Sequence, residues 1–190
     1  MTTAPSAPRD FDGIVIGAGQ AGNPLAQQLA DKGWRVALIE REHLGGSCVN
    51  YGCTPTKTMI ASAQVVHAAR RVSTPGGHIA YVSGDLPQRA APKNHIASPC
   101  GHGLEAHTAS RPNITVFHGS ARFSGPRQVA VLGEELHADH VFINTGTSSP
   151  LPPTPGRAEL PFLTNRPTLD RPRVPGPLAL FSRRCTGPGV

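Results

Sequence analysis

Two cysteines and a lysine stand close together in the run from Gly45 to Lys57. Four residues separate Cys48 from Cys53, and Lys57 follows one helical turn later. A spacer of that length puts two sulfur atoms on adjacent turns of a distorted helical segment, within reach of a disulfide bond. Cys53 directly precedes a predicted helix, and a helix N-terminus with a nearby lysine favours the thiolate form of a cysteine. The spacing therefore favours a redox-active dithiol.

Two other interpretations of the cysteine pair remain open on the residues alone. A zinc site needs two further ligands, and the candidates lie in a stretch without periodicity: Cys100, His95, and His102 or His107. A pair of structural thiols in a reducing compartment is the other possibility, since residues 1–12 carry no apolar export segment. The redox dithiol is preferred, and no metal ligand is assigned.

A glycine pattern lies just upstream, between an apolar run at residues 13–16 and a helix predicted over residues 24–33. Its members are Gly17, Gly19 and Gly22. In turn, these positions permit a tight turn, a close approach of backbone N–H groups to a pyrophosphate, and close packing of helix on strand. The pattern favours a dinucleotide site over a structural turn.

A second buried strand is predicted over residues 35–39, and it ends at Glu40. A carboxylate at this point accepts hydrogen bonds from the ribose hydroxyls of an adenosine. Strand, glycine loop, helix, strand and terminal acid together make a complete β-α-β unit. The pattern does not by itself distinguish FAD from NAD.

The rest of the chain divides into periodic and aperiodic segments. A helix is predicted over residues 58–71, whereas residues 73–111 are expected to be irregular. Strands are predicted at residues 114–117, 121–123, 128–132, 136–138 and 141–146, with a hairpin turn at residues 133–135. Ten of the 20 prolines fall between Pro150 and Pro188, which predicts a disordered tail over residues 151–190.

These features together resemble the flavoprotein disulfide reductases of the pyridine-nucleotide type. The resemblance is carried by the glycine pattern, Glu40, the Gly45–Lys57 run and Ile143–Gly146, over residues 11–72 and 102–164. The ending Thr54–Lys57 is most similar to the mercuric-reductase-like branch. The family implies an α/β fold: a three-layer, Rossmann-like FAD/NAD(P)-binding domain over residues 11–150, with a parallel sheet and a small antiparallel β-meander.

The resemblance also implies roles for individual residues in an enzyme that uses FAD and NAD(P)H. Cys48 would exchange with the substrate, Cys53 would be the less accessible thiol beside the flavin, and Lys57 would lie near the flavin. The other implied FAD contacts are Gly17, Gly19, Gly22, Glu40, Gly119, Ala121, Thr145 and Gly146. Tyr51 stands where the family usually has a small aliphatic residue.

Charge and hydropathy bear on the expected partners. The net charge is +6, and residues 157–190 supply six basic side chains against two acidic ones, scattered among prolines. Such a segment predicts a basic tail rather than a nucleic-acid surface, which would place its cations along one folded face. No apolar run is long enough to span a bilayer. We expect a cytoplasmic protein with a small-molecule substrate and neither nucleic acid nor membrane as a partner.

The family forms homodimers and binds NAD(P)H in a second dinucleotide domain. These 190 residues contain neither a second glycine pattern nor a dimerisation domain. We therefore interpret the chain as the FAD-binding part of such an enzyme, apparently truncated. The alternative function is a non-catalytic FAD-binding fragment with a redox-active dithiol.

Overall fold

The computed structural model describes residues 8–71, 103–149, 155–156 and 159–169. Within these ranges, six strands form one mixed sheet in the order β3-β2-β1-β6-β5-β4. The strands are β1 Arg9–Ile16, β2 Val36–Glu40, β3 Ile114–His118, β4 Arg122–Gly125, β5 Gln128–Val131 and β6 Glu134–Ile143. The helices are α1 Gly22–Asp31, α2 Gly46–Tyr51, α3 Cys53–Arg71, α4 over residues 103–109, and α5 Asn165–Leu169.

Four parallel strands form the centre of the sheet. β1 pairs in parallel with β2 on one side and with β6 on the other, and β2 pairs in parallel with β3. Helix α1 supplies the crossover that a parallel β1–β2 pair requires. Strand β2 is buried on both faces, with Val36 and Leu38 in one core cluster and Ala37 and Ile39 in the other. Burial on both faces explains the continuous apolar run of its sequence.

The two faces of the sheet are covered by different structures. Helix α1 covers one face with Ala26 and Ala30, and Leu104 of α4 packs against the same cluster. The meander of β4, β5 and β6 curls over the other face. A Cβ atom on Gly119, just after β3, would lie 3.0 Å from the side chain of Leu132, in the turn between β5 and β6. The meander therefore reaches back across the sheet to the opposite edge strand, β3. Meander, sheet and helices are thus three layers, and the predicted fold class is confirmed.

The hairpin before β6 differs from the prediction. The turn lies at Leu132 and Gly133, whose φ angles are 51° and 82°, and not at residues 133–135. Positive φ at both central residues suits the twist of a two-residue hairpin. β6 runs without interruption from Glu134 to Ile143, so it joins the strand predicted at residues 136–138 to the one predicted at 141–146 and ends before residue 144. The exposed Asp139 and His140 broke the apolar pattern without breaking the strand, because β6 pairs with β1 on both sides of Asp139.

Two helices fall in segments predicted to lack structure. Residues 103–109 form α4 inside the stretch predicted as irregular, and α5 lies inside the predicted tail. Helix α4 is short and mostly exposed, burying only Thr108 fully, so its sequence has little helical period to detect. In these two segments, residues 73–102, 151–154, 157–158 and 170–190 lie outside the described residues.

Helix α3 begins at Cys53 and not at the predicted residue 58, so the second cysteine is its first residue. Strand β1 likewise begins at Arg9, ahead of the apolar run, because its polar first residues pair with β6. In the part of the chain that the structure describes, no helix is both long and apolar enough to cross a membrane.

Candidate cofactor and dithiol site

The residues predicted to bind the cofactor follow the carboxyl ends of the four parallel strands. Ligands of open α/β sheets bind at this edge, where the strand order reverses. Here the order reverses beside β1, because β2 and β3 lie on one side of it and β6 on the other. The structure brings to this edge Gly17 after β1, Glu40 ending β2, Gly119 and Ala121 after β3, and Thr145 and Gly146 after β6.

Backbone hydrogen bonds tie these strand ends to one another. The N–H of Gly17 donates to the carbonyl of Ile39 at 2.8 Å, and the N–H of Gly119 donates to that of Glu40 at 2.8 Å. On the other side, the N–H of Asn144 donates to the carbonyl of Ile16 at 2.7 Å. The turns that follow the strands are therefore fixed relative to each other.

The three glycines of the loop are required for different reasons. Gly17 has a φ of +98°, and a Cβ atom there would lie 2.2 Å from the carbonyl oxygen of Asn144. A Cβ on Gly22 would lie 1.8 Å from the carbonyl oxygen of Gly17, so the start of α1 packs directly on the loop. The Cβ position of Gly19 is open, and the nearest atom is the Cα of Gly46 at 3.9 Å. Packing explains the first and third glycines and leaves room beside the second.

The carboxylate of Glu40 lies against this loop. Its Oε2 accepts a hydrogen bond from the N–H of Ala18 at 2.9 Å, and its Oε1 accepts one from the N–H of Glu42 at 2.9 Å. Two backbone donors therefore fix the acid at the end of β2, beside the turn that the glycines form.

The cysteine-bearing helix α2 starts directly on the glycine loop. The N–H of Gly45 donates to the carbonyl of Ala18 at 2.8 Å. A Cβ atom on Gly46, whose φ is +58°, would lie 2.9 Å from the Cα of Gly19. Gly46 is thus what allows the two backbones to approach each other, whereas a Cβ atom on Gly45 would lie 2.7 Å from the side chain of Val49 in α2. The sequence marked both residues as part of the motif without showing this contact.

The two thiols meet across a break between helices. Cys48 lies in α2, Gly52 interrupts the helix, and Cys53 begins α3. Both thiols are free. The hydrogen bond with the Cys53 thiol, followed by burial, raises the pKa of Cys48, and the positive charge of Lys57 acts in the opposite direction. The predicted grouping of two thiols and a lysine is therefore present.

The two thiols differ in exposure in the protein chain by itself, and the predicted lower accessibility of Cys53 beside a flavin stays a prediction. Cys53 is exposed and Cys48 is half-buried. As the first residue of α3, Cys53 lies on a helix whose only buried residue is Pro55, whereas Cys48 lies inside α2, which packs on the glycine loop.

The zinc alternative gains no support from the described residues. They contain no group of three or more His, Cys, Asp or Glu side chains placed to hold a metal ion. Of the proposed ligands, His107 is exposed on α4. Cys100, His95 and His102 lie outside the described residues.

Sequence reasoning missed a contact between α5 and α2. Asn165 and Arg166 of α5 contact Tyr51, the last residue of α2. The only signal in the sequence was the unusual tyrosine itself.

A parallel sheet with a glycine loop at its reversal point and a meander on one face defines an FAD-binding domain. The sequence profile of the pyridine nucleotide-disulphide oxidoreductase family matches residues 11–172, and the chain belongs to this family. The sequence motifs supported the resemblance over residues 11–72 and 102–164 only. The family match is longer, because it includes residues 73–101 and extends beyond Thr164.

Individual relatives agree with this assignment. The chain is 37% identical to the mercuric reductase of Shigella flexneri over 88% of its own length and 31% of that enzyme. It is 33% identical to the dihydrolipoyl dehydrogenase of Chlamydia pneumoniae over 94% of its length and 39% of that enzyme. Among solved structures it resembles RclA, an HOCl-induced flavoprotein disulfide reductase from Escherichia coli, with 34% identity and a TM-score of 0.71. That match covers 87% of this chain and 35% of RclA. The chain spans about a third of the length of these relatives.

Proposed function

We propose that the chain binds FAD at the glycine loop and Glu40 and presents Cys48 and Cys53 as its redox dithiol. In the whole protein this pair would serve an NAD(P)H-dependent oxidoreductase acting on a disulfide or on mercuric ion. The observation that carries the proposal is the contact between Gly46 and Gly19. It joins the helix that bears the first cysteine to the loop that would hold a pyrophosphate.

The residues present fit FAD. The open side of Gly19 leaves room for a phosphate to approach the backbone. Helix α1 begins directly after the loop, and the positive end of its dipole suits an anion there. Glu40, held by Ala18 and Glu42, would accept the ribose hydroxyls. Flanking contacts would come from Gly119, Ala121, Thr145 and Gly146. Bound FAD would supply the two-electron chemistry, which the protein positions.

The dithiol would reduce a disulfide substrate by two exchanges. The thiolate of Cys48 attacks one substrate sulfur, forming a mixed disulfide and releasing the other sulfur as a thiolate. The thiolate of Cys53 then displaces the remaining half and closes the Cys48–Cys53 disulfide. The hydrogen bond with Cys53 raises the pKa of Cys48, and the positive charge of Lys57 offsets part of that shift, which makes the thiolate needed for the first step more available. The exposure of Cys53 favours the reverse order, in which Cys53 attacks the substrate and Cys48 closes the disulfide. The variants Cys48→Ser and Cys53→Ser distinguish the two orders, because only the variant that keeps the attacking cysteine traps a mixed disulfide with the substrate.

The glycine loop offers a sharp test of FAD binding. Gly19→Val should keep the fold, because its Cβ position is open, and should abolish FAD uptake by blocking the backbone. Gly103→Val is the control, since nothing lies within 4 Å of the Cβ position of Gly103 and that residue lies outside the predicted cofactor site. Uptake is measured by visible absorbance after desalting, and folding by circular dichroism. Uptake by folded Gly19→Val equal to that of Gly103→Val would refute the assignment of the site.

A second candidate is a non-catalytic FAD-binding fragment with a redox-active dithiol. The observation that favours it is that the described residues contain one strand–glycine-loop–helix unit, where NAD(P)H needs a second one. The two candidates share the FAD site and the dithiol, and they differ in NAD(P)H-dependent turnover.

A further inference from the structure

We propose that Asn165 and Arg166 are positioning residues for the dithiol, acting as a clamp on the break between α2 and α3. The inference rests on the proposed redox function of Cys48 and Cys53 and adds to it a device that holds the two thiols in bonding geometry. We call these two residues, with their contacts on Tyr51, the α5 clamp.

The clamp grips the backbone next to the break. The side-chain amide Nδ2 of Asn165 donates to the carbonyl oxygen of Tyr51 at 3.1 Å. That carbonyl belongs to the peptide linking Tyr51 to Gly52, and Cys53 comes next. Gly52 is the single residue between the helices. Because glycine restricts its backbone least, a bond that orients the preceding peptide limits the directions that α3 can take from α2.

Arg166 holds the same residue by its ring. Its guanidinium carbon lies 4.0 Å from the ring centroid of Tyr51, a cation–π contact. Its NH1 also lies 2.9 Å from Oε2 of Glu42. The backbone N–H of Glu42 in turn donates to Glu40, the predicted ribose ligand. The clamp is therefore anchored on the same turn that would hold the cofactor.

The clamp is also tied to the strand end on the other side of the site. The hydroxyl of Ser149, in the segment after β6, donates to Oδ1 of Asn165 at 3.1 Å. The Asn165 amide thus accepts from Ser149 and donates to Tyr51, with both of its polar atoms used. Because the bond with Ser149 already restricts the Asn165 side chain, that side chain loses little further conformational entropy when it binds the carbonyl of Tyr51.

A disulfide forms only when the two sulfur atoms reach a narrow range of distance and dihedral angle. Holding the break in one conformation raises the effective concentration of one thiol at the other. The structural role of Tyr51 follows: its ring offers Arg166 a flat face that a small aliphatic side chain lacks.

The effective concentration can be measured in glutathione buffers. One tryptic peptide, residues 42–57, contains both cysteines, and its disulfide form has two hydrogens fewer. Each closed disulfide consumes one oxidised glutathione and releases two reduced glutathiones, through a mixed disulfide on one cysteine. After acid quenching, the ratio of closed to reduced peptide by mass spectrometry gives the effective concentration.

Arg166→Gln should lower the effective concentration about fivefold, the loss expected for one cation–π contact. Tyr51→Leu should lower it similarly, and the double variant should fall no further, because both changes remove the same contact. Arg166→Lys, which keeps the charge opposite Glu42, should be intermediate. Tyr51→Phe, which keeps the ring, should match the wild type.

Arg41→Gln is the matched control. Arg41 shares the Glu42 carboxylate, with its Nε 3.9 Å from Oε1, but lies in the turn after β2. The effective concentration of the thiols in Arg41→Gln should stay within about twofold of the wild-type value, because loss of an exposed ion pair changes stability little. In this variant the tryptic peptide begins at Val36.

Two outcomes overturn the inference. In one, the effective concentration in Arg166→Gln equals that in Arg41→Gln. Any lower stability of Arg166→Gln in urea denaturation would then be a structural effect only. In the other, the losses in Arg166→Gln and Tyr51→Leu simply add. A wild-type chain that forms no Cys48–Cys53 disulfide would instead refute the proposed function, and the clamp with it.

Discussion

At the scale of single residues, the chemistry of Cys48 is governed by its partner thiol. The hydrogen bond between the Cys48 thiol and the neighbouring Cys53 side chain is the main reason that the pKa of Cys48 is raised, followed by burial. Lys57 pulls the pKa of Cys48 down without reversing the shift. A helix terminus and a lysine therefore do not by themselves make Cys48 a ready thiolate, because the second thiol stabilises the protonated form.

This balance predicts opposite effects of two substitutions on the alkylation of Cys48. Cys53→Ala should lower the pKa of Cys48 by removing the largest raising effect, so alkylation becomes faster near neutral pH. Lys57→Gln should raise the pKa of Cys48 and slow alkylation at the same pH. The measurement is the pH dependence of the iodoacetamide rate at Cys48, read by mass spectrometry on the reduced protein. Ser47→Ala, an exposed neighbour, is the control. Slower alkylation in Cys53→Ala would contradict the prediction.

At the scale of elements, the C-terminal end of the crossover helix α1 is bound by a residue that is distant in the sequence. Its C-cap is Lys32, and Gly33 follows with a φ of +86°, as the sequence predicted. Asn113, just before β3, donates from Nδ2 to the carbonyl oxygens of Ala30 at 2.6 Å and Trp34 at 2.9 Å. The carbonyl of Ala30 also accepts from the N–H of Gly33, so Asn113 adds a second donor there and joins the last turn of α1 to the segment that leads into β2.

Asn113→Ala should therefore destabilise the fold by about 1–2 kcal/mol, since two part-buried hydrogen bonds from one side chain are lost. The measurement is the free energy of unfolding from urea denaturation. Ser110→Ala is the control, because the Ser110 hydroxyl makes a single exposed bond to the carbonyl of His107 and should cost less than about 0.5 kcal/mol. A loss in Asn113→Ala no larger than in the control would show that water replaces the amide at no cost.

At the scale of the whole molecule, the described residues contain one strand–glycine-loop–helix unit, at the switch point of one sheet. Hydride transfer from a nicotinamide needs a second dinucleotide site. Residues 147–190 carry 10 prolines in 44 positions, a composition that does not suit another β-α-β unit.

Expressed by itself, the 190-residue chain should take up FAD and form the Cys48–Cys53 disulfide without NAD(P)H-dependent turnover. An acid/base group contributes a further ~10²–10⁴-fold in such reactions, and none is assigned among the described residues. The measurement is NAD(P)H consumption with a disulfide or mercuric ion present. Dithionite is the control reductant, because it reduces flavin without a nicotinamide site. Turnover comparable to that of a full-length relative would decide for the enzyme over the fragment.

The sequence by itself determined the parts of this protein that are local. The glycine loop, the buried strands β1 and β2, the helix between them and the dithiol spacing depend on short runs of residues. Hydrophobic period and turn chemistry act over the same distances, so these elements could be predicted. The position of Glu40 followed as well, because the end of a parallel strand fixes the edge at which a side chain lies.

Only the tertiary structure decided which distant segments meet. Gly46 on Gly19, Asn113 on the end of α1, and Arg166 on Tyr51 each join residues whose local pattern names no partner. The unbroken β6 and helix α4 were missed for the same reason. A strand held by its neighbours tolerates exposed polar residues, and a short helix that buries one threonine shows almost no period. Such contacts depend on how distant segments pack in three dimensions, and local sequence patterns carry no information about that packing.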